Sequence, residues 1–362
     1  MPALGRHRGL HTLLVANRGE IAMRVIRAAQ ECDIRSVALS APGDETALHT
    51  VCADETVKVE SYMDVGAIVD AAVRSKCDAL HPGYGFLSES SELAARCEEA
   101  GVRFVGPTAK AIEALGDKVA ARALARSVGV PVLQGSDAPC ADADAVRASM
   151  AAEGMCYPVA LKAVGGGGGR GIRVVGSDGE LEGAFDACLR EAAAVGVDGA
   201  GLFVEEYLPS ARHLEVQLLG DGDGHLIHLW ERDCSVQRQR QKMVEVAPAP
   251  NLDDATRRSL TEHALRIGNA VGYRSAGTCE FLMDTTHHPR HGHGHAHGGG
   301  SDSAGASGGG SAAASSIRFL EFNPRIQVEH TVTEASRRQS KGAPMSPSPQ
   351  WGLDCLNPIR PK

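Results

Sequence analysis

One stretch near the carboxyl end constrains the fold more than any other part of the chain. Residues 318–330 read Arg-Phe-Leu-Glu-Phe-Asn-Pro-Arg-Ile-Gln-Val-Glu-His, and in an extended strand successive side chains point to opposite faces. One face then carries five polar residues, Glu321, Asn323, Arg325, Gln327 and Glu329. The other face carries Phe322, Ile326 and Val328. Bulky apolar side chains behind a polar face need a core to pack against. The stretch therefore predicts a polar site on a strand whose opposite face is buried.

The polar face has the chemistry of a metal and oxyanion site. Glu321 and Asn323 offer hard oxygen donors of the kind that Mg²⁺ binds alongside substrate phosphates. Arg325 offers a planar guanidinium suited to a small oxyanion, and Glu329 is a candidate base beside it. The alternative interpretation is an ordinary solvated strand face with Arg and Glu paired across it. Pro324 predicts a bend or a sheet edge within the stretch, since proline cannot donate to a strand ladder.

Composition bounds the class of protein. At 362 residues the chain is long enough for two or three lobes. A net charge of −8 and an aromatic content of 4% predict that neither nucleic acid nor a membrane surface is a partner. Ten cysteines without a C-x-x-C pair fit reduced thiols in the cytoplasm or in an organelle matrix, mitochondrial or plastid. No targeting signal is visible, because the basic residues 1–11 are not followed by an apolar core.

The amino-terminal part alternates strand and helix patterns. Residues 12–16 are an apolar run, residues 20–31 have helical spacing, and residues 36–40 are the next apolar run. This β-α-β order implies a parallel sheet. The first turn, Asn17-Arg18-Gly19, lacks a G-x-G-x-x-G motif, which disfavours dinucleotide binding. The segment His81–Glu89 follows another strand and is either a ligand-binding loop or a plain connection.

A glycine run lies between two predicted strands in the middle of the chain. The strands are Tyr157–Val164 and Ile172–Val175, and the run begins with Gly165, Gly166, Gly167, Gly168 and Gly169. Its backbone amides can close over phosphate oxygens because no side chains intervene. Lys162 lies just upstream, where it can contact a phosphate, whereas Lys118 at a break in a long helical stretch reads on its own as a solvated lysine. The competing interpretation of the run is a flexible linker.

Further strands and one helix are predicted in the carboxyl-terminal half. They are strands at Leu202–Leu208, His213–Leu219, His225–Trp230 and Ala276–Asp284, and a helix at Asp253–Val271. The segment Glu231–Lys242 is dense in charges and amides, which predicts a solvated connector. Residues 285–316 begin with a His-rich run and continue in Gly, Ser and Ala, a composition typical of a flexible solvated loop.

Six motifs, in this order, resemble those of the biotin carboxylase component of biotin-dependent carboxylases, an ATP-grasp family. They are Ala16–Glu20, His81–Glu89, Gly116–Lys118, the glycine run, Glu231–Cys234 and Asn323–His330. The resemblance implies an α/β fold with a Rossmann-like N-terminal domain at residues 12–117. It implies an ATP-grasp domain at residues 118–334, with a glycine-loop lid at about residues 134–204. Val244–Pro248 and His330–Glu334 favour pyruvate-carboxylase-like members.

The resemblance also implies a reaction and its partners. The reaction is ATP- and bicarbonate-dependent carboxylation of biotin on a carrier protein through carboxyphosphate, as part of a pyruvate, acyl-CoA or urea carboxylase. ATP and Mg²⁺ or Mn²⁺ are the implied cofactors, and biotin is the substrate. The implied partners are a biotin carboxyl carrier protein or domain, a carboxyltransferase subunit or domain, and a second copy in a homodimer. The alternative is a catalytically weak MgATP-binding remnant or a partner-binding subunit.

Motif matching assigns the implied roles residue by residue. ATP phosphates would be held by Lys118, Lys162 and the glycines Gly165, Gly166, Gly167, Gly168 and Gly169. Adenine would be read by Glu205 and the Leu208 backbone, and the ribose would lie at His213 and Gln237. The metal ligands would be Glu280, Glu321 and Asn323. Bicarbonate would be positioned by Lys242 and Arg325, and the general base would be Glu329.

The sequence departs from the family pattern in three places. Arg240 stands where the family commonly has His. Residues 285–316 are an insertion between two strands that a short turn normally joins. The resemblance stops after Glu334, and residues 335–362 predict an unstructured, divergent tail in place of a final sheet segment that supplies another arginine. From these departures we expect the polypeptide to bind MgATP but to carboxylate biotin poorly or not at all.

Overall fold

Three β-sheets organise the part of the chain that the computed structural model describes, which is residues 10–163, 171–194, 201–239, 241–286 and 316–339. The predicted phosphate contacts Gly165–Gly169, Arg240, the His-rich run and the chain beyond Gln339 lie outside these residues. Within the described ranges, no helix is both long enough and apolar enough to cross a bilayer.

The first sheet is parallel, with strand order β3-β2-β1-β4-β5. Its strands are β1 Thr12–Val15, β2 Arg35–Ser40, β3 Glu55–Lys58, β4 Ala79–His81 and β5 Arg103–Phe104. The accompanying helices are α1 Gly19–Glu31, α2 Leu48–Cys52, α3 Val65–Arg74, α4 Ser91–Glu99 and α5 Ala109–Gly116. Leu13, Leu14 and Val15 are fully buried, as expected for a parallel strand covered on both faces. The predicted β-α-β opening is therefore confirmed.

A smaller antiparallel sheet with order β7-β6-β8 follows. Its elements, with the helices around it, are α6 Lys118–Ser127, α7 Ala143–Glu153, β6 Val159–Ala163, β7 Ile172–Val175, α8 Asp178–Ala194 and β8 Leu202–Glu206. Asp117 separates α5 from α6, and its carboxylate caps α6 by accepting from the Ala120 amide at 2.7 Å. The predicted break at Gly116–Lys118 is thus a helix boundary with a defined cap.

The third sheet is antiparallel, with order β11-β10-β9-β12-β13. Its elements are β9 Ala211–Gly220, β10 Leu226–Arg238, β11 Gln241–Val246, α9 Asp254–Ala270, β12 Ser275–Asp284, β13 Ile317–Asn323 and a final helix, α10, His330–Gln339. Leu214, Val216 and Leu218 of β9 join Leu260 and Ile267 of α9 in one apolar core. Because strand side chains alternate, the opposite face of the sheet is left for polar residues.

The extended stretch predicted over residues 318–330 is wrong beyond Asn323. β13 ends at Asn323, Pro324 follows, and α10 begins at His330. Proline cannot continue a strand ladder, which accounts for the break. Val328 is 59% exposed rather than part of the core.

The solvated connector predicted at Glu231–Lys242 is also wrong, because Glu231–Arg238 belongs to β10 and Gln241–Lys242 to β11. The register between β10 and β9 shifts between His228 and Glu231, and Trp230 there has a φ of +73°. Beyond this bulge Glu231 pairs with Val216 on the core side and Arg232 pairs with Glu215 on the polar side, so both are buried, on opposite faces of the sheet.

The unstructured tail predicted from residue 335 begins too early. α10 continues to Gln339, so residues 335–339 are helical. Residues 340–362 lie outside the described part of the chain.

Candidate functional site

Three carboxylates stand in a row across the polar face of the third sheet. Glu280 on β12 is the register partner of Glu215 on β9 and of Glu321 on β13. A bulge beside Glu280 returns Phe322 to the core while Glu321 and Asn323 stay on the polar side. Like charges directly opposite each other are destabilising, so this row requires cations.

Lys242 on β11 supplies one of those cations. Its Nζ donates to Glu215 Oε2 at 2.5 Å, Glu329 Oε1 at 2.8 Å and Glu280 Oε1 at 3.1 Å. Burial alone would lower the pKa of the Lys242 ammonium, but the surrounding carboxylates outweigh it and raise that pKa. Lys242 therefore carries a full positive charge between two strands and the segment that precedes α10.

Glu280 is the best-connected carboxylate of the row. Its Oε1 accepts from Asn323 Nδ2 at 2.7 Å and from Gln327 Nε2 at 3.2 Å, and its Oε2 lies 2.5 Å from His213 Nε2. Burial opposes ionisation, but contact with His213 and Lys242 lowers the pKa of Glu280. The same contact raises the pKa of His213 against the effect of its own burial. Gln237 Nε2 lies 2.8 Å from His213 Nδ1, which extends the hydrogen-bonded series from Glu280 through His213 to Gln237.

The predicted metal ligands are brought together on neighbouring strands, and the donor set fits a hard cation. Burial and repulsion from Glu280 raise the pKa of Glu321, while Lys118, with Nζ 3.8 Å from Glu321 Oε2, opposes the rise. A divalent ion held by the two opposed carboxylates would remove that repulsion. Asn323 directs its amide nitrogen to Glu280, and its Oδ1 accepts from Arg325 Nη2 at 3.3 Å.

Arg325 and Glu329 reach this face from the irregular segment after β13. Arg325 Nε donates to Glu89 Oε1 at 2.5 Å, which ties the loop His81–Glu89 of the first sheet to the polar face. Glu329 is 9% exposed and is held through Lys242 beside Glu215. Arg325 is linked through Asn323 to Glu280, and Lys242 links Glu280 to Glu329, so the arginine, the lysine and the carboxylate belong to one hydrogen-bonded network.

Two of the predicted nucleotide contacts, Lys162 and Glu205, lie on the small sheet. Lys162 of β6 is ion-paired with Glu205 of β8, its diagonal neighbour on the same face. Leu208 follows two residues after β8 ends. Lys118 begins α6, and its Nζ lies 3.8 Å from Glu321 Oε2, so it borders the polar face.

Two residues of the polar face, Arg232 and Glu215, were not predicted as site residues. Arg232, fully buried, donates from Nε to Glu215 Oε1 at 2.5 Å and from Nη2 to Gln327 Oε1 at 3.3 Å. Alternation with His213 was the available signal for Glu215. No local signal was available for Arg232, because its burial depends on partners that are distant along the chain.

Comparisons with known proteins match both halves of the chain. A family model described as "Biotin carboxylase, N-terminal domain" matches residues 9–112. A second, described as "Carbamoyl-phosphate synthase L chain, ATP binding domain", matches residues 117–290. The mitochondrial pyruvate carboxylase of Homo sapiens is 43% identical over 335 residues, which is 91% of this chain and 26% of the human protein. The chain thus spans about a quarter of the length of that relative.

Two solved structures resemble the whole fold. A biotin carboxylase from Campylobacter jejuni, described as a β,γ-ATP complex, has a TM-score of 0.81 and 35% identity, covering 98% of this chain and 72% of that one. The biotin carboxylase domain of a Hydrogenobacter thermophilus 2-oxoglutarate carboxylase, solved with MgADP and bicarbonate, has a TM-score of 0.79 and 37% identity. It covers 96% of this chain and 70% of that one.

Proposed function

The chain belongs to the biotin carboxylase family of biotin-dependent carboxylases, and from that premise we propose that it uses ATP and bicarbonate to carboxylate biotin on a carrier protein. The observation that carries the proposal is the position of Lys242. Its ammonium joins Glu215, Glu280 and Glu329, and Glu280 is linked through Asn323 to Arg325. A buried cation shared by three carboxylates is costly to assemble for stability alone, whereas a reaction of several oxyanions requires such a site.

The nucleotide would lie between the small sheet and the polar face. Lys118 and Lys162 are point charges suited to phosphate oxygens, and Gly165–Gly169 lie three residues after Lys162 in the sequence. Glu205 and the Leu208 backbone would contact adenine, and His213 with Gln237 would contact the ribose. Glu280, Glu321 and Asn323 would hold Mg²⁺ or Mn²⁺. When bound, that ion neutralises charge on the phosphates during phosphoryl transfer.

Bicarbonate would lie at Lys242 and Arg325, with Glu329 as its base. Glu329 takes the bicarbonate proton as a bicarbonate oxygen forms a bond to the γ-phosphorus and the bond from that phosphorus to ADP breaks. The product is carboxyphosphate, which breaks down to CO₂ and phosphate. The released phosphate takes the N1′ proton of biotin as N1′ forms its bond to CO₂. Positioning supplies much of the rate in such a transfer, and the Arg325–Glu89 contact helps to fix the arginine.

Domains, partners and compartment belong to the same proposal. We assign residues 12–117 and 118–334 to the two family domains, with the lid at about residues 134–204. A biotin carrier and a carboxyltransferase, as subunits or domains, would complete the reaction, and a second copy would form the family homodimer. The cytoplasm or an organelle matrix is the proposed compartment, and one matched relative is named as mitochondrial.

Transfer of labelled bicarbonate to biotin tests the proposal. Purified protein is incubated with MgATP, free biotin and labelled bicarbonate, and acid-labile label on biotin is measured. We expect label above the level of Glu329→Gln, with Glu262→Gln, a change of an exposed carboxylate on α9, as the matched control. MgATP binding with label equal in parent and Glu329→Gln would favour the MgATP-binding remnant instead.

A further inference from the structure

A buried arginine on α6, Arg122, is hydrogen-bonded to the segment at residues 133–136. Arg122 is 5% exposed, and its guanidinium donates to the carbonyl oxygens of Leu133 at 3.1 Å, Gly135 at 3.2 Å and Ser136 at 3.3 Å. A guanidinium stays protonated even when buried, so its charge requires compensation in place. Carbonyl dipoles supply part of that compensation.

Glu205 supplies the counter-charge. Its Oε1 lies 3.6 Å from Arg122 Nη1, while its Oε2 is ion-paired with Lys162. The carboxylate is 6% exposed, yet Lys162 and Arg122 outweigh the effect of burial and lower the pKa of Glu205. One buried carboxylate is therefore shared by two cations, one at each of its oxygens.

The backbone is closely packed around the Arg122–Glu205 contact. Ser136 N donates to the Val204 carbonyl at 2.9 Å, so the segment runs along β8. A Cβ added at Gly135 would lie 2.7 Å from that carbonyl oxygen and 2.9 Å from Glu205 Cγ. Arg122, the segment and Glu205 thus pack as one unit, whereas Lys162 reaches the carboxylate from β6 with a flexible side chain.

The proposed function gives different roles to the two cations, Lys162 and Arg122. Lys162 is needed at the nucleotide phosphates, but in this structure its ammonium is bound to Glu205. We propose that Arg122 is the permanent counter-ion of Glu205, a positioning residue that lets Lys162 exchange Glu205 for a nucleotide phosphate. This inference rests on the proposed nucleotide site and adds a residue to it.

The exchange has an electrostatic reason. With Arg122 present, the Glu205 carboxylate remains ion-paired with Arg122 when Lys162 leaves. It therefore stays in position to contact the nucleobase. Without Arg122, departure of Lys162 would leave a buried carboxylate unpaired, so Lys162 stays bound to it. Removing Arg122 therefore weakens binding to phosphates that Arg122 itself does not contact.

Tripolyphosphate, which lacks a nucleobase, isolates this effect. Binding of magnesium tripolyphosphate and of MgATP is measured by calorimetry for parent, Arg122→Met, Glu205→Gln and the double variant. The matched control is Arg126→Met, because Arg126 is one turn along α6 and forms an exposed pair with Asp137 at 2.7 Å. We expect Arg122→Met to lose at least about tenfold in affinity for tripolyphosphate, the scale of a charged contact, and Arg126→Met to match the parent.

The double variant separates a counter-ion from a packing residue. Glu205→Gln frees Lys162 whether or not Arg122 is present, so the double variant should bind tripolyphosphate as well as Glu205→Gln does. A double variant as weak as Arg122→Met would overturn the inference, as would equal affinity in Arg122→Met and the parent.

Two further results complete the test. If Arg122→Met does not fold, Arg122→Lys replaces it. Affinity within about twofold of the parent supports the counter-ion, and a loss of about tenfold in folded protein overturns it. A parent that binds neither MgATP nor tripolyphosphate would contradict the proposed function itself.

Discussion

Glu280 and Glu321 are directly opposite each other on β12 and β13, two carboxylates in one register pair. Like charges at this position destabilise a sheet, by up to about 1 kcal/mol. The pair is retained in a site that also holds Lys118 near Glu321 and Lys242 near Glu280. The arrangement is therefore suited to a divalent cation between the two strands.

Replacing Glu321 with Gln should separate stability from metal binding. Glu321→Gln removes the repulsion, so the metal-free variant should melt at the same temperature as the parent or slightly above it. MgATP affinity should fall, because one metal ligand is lost. Thermal melts and MgATP titrations at matched Mg²⁺ measure both effects, with Glu262→Gln as the control. Equal MgATP affinity in Glu321→Gln and parent would refute the metal assignment.

Lys242 should be essential for stability when no metal is bound. Lys242→Met leaves Glu215, Glu280 and Glu329 without their shared ammonium, and breaking a largely buried ion pair costs about 3 kcal/mol. Urea unfolding should detect this loss, and added Mg²⁺ should recover part of it. Lys110→Met, at an exposed position on α5, is the control. Equal stability of the two variants would contradict the shared role of Lys242.

His81 should make stability depend on pH below neutrality. Burial lowers the pKa of His81 to about 4, helped by Arg24 and His330, and its Nδ1 accepts from the Gly83 amide at 3.0 Å. The unfolded chain therefore binds a proton between pH 6.5 and 4 that the folded chain does not. Stability from this group is present above pH 6.5 and is lost as the pH falls to 4.

The loss should amount to roughly 3 kcal/mol. His81→Gln keeps an acceptor without a titratable ring, so its unfolding free energy should fall less across this range. Urea unfolding at a series of pH values measures the difference. Parallel curves for His81→Gln and parent would contradict the assignment.

Residues 287–315 should be dispensable for MgATP binding. The flanking strands already converge, since Met283 pairs with Ile317 and Asp284 N donates to the Ser316 carbonyl at 3.1 Å. A short turn can therefore join Thr286 to Ser316 without disturbing Glu280 or Glu321. Calorimetric MgATP titration of the shortened protein should give the parent affinity. A loss of about tenfold in folded protein would indicate that the segment takes part in the site.

The sequence predicted the parts of the site that follow local periodicity. Alternation placed Glu321 and Asn323 together on β13 and His213 on the polar side of β9. It misplaced the segment from Arg325 to Glu329, which lies beyond the end of β13 at Asn323 and reaches the site as an irregular segment. The polar residues of that segment correctly indicated the site, although the strand conformation predicted for the segment was wrong.

Long-range pairing explains what local pattern could not predict. Arg232 is buried on the polar face of the third sheet, and its partners Glu215 and Gln327 lie 17 and 95 residues away along the chain. Arg122 likewise gains a role only when residues 133–136 and β8 meet around it. From sequence alone, a charged residue is normally interpreted as solvent-exposed. Only the fold shows which charged residues are buried beside distant partners.

Bicarbonate-dependent ATP cleavage tests the central claim most directly. Phosphate release from MgATP is measured against bicarbonate concentration for parent and Glu329→Gln, after titration shows that both bind MgATP equally. The account predicts that release by the parent rises with bicarbonate and saturates, while Glu329→Gln shows no bicarbonate-dependent release. Release by the parent that is independent of bicarbonate, or equal to that of Glu329→Gln, would contradict it.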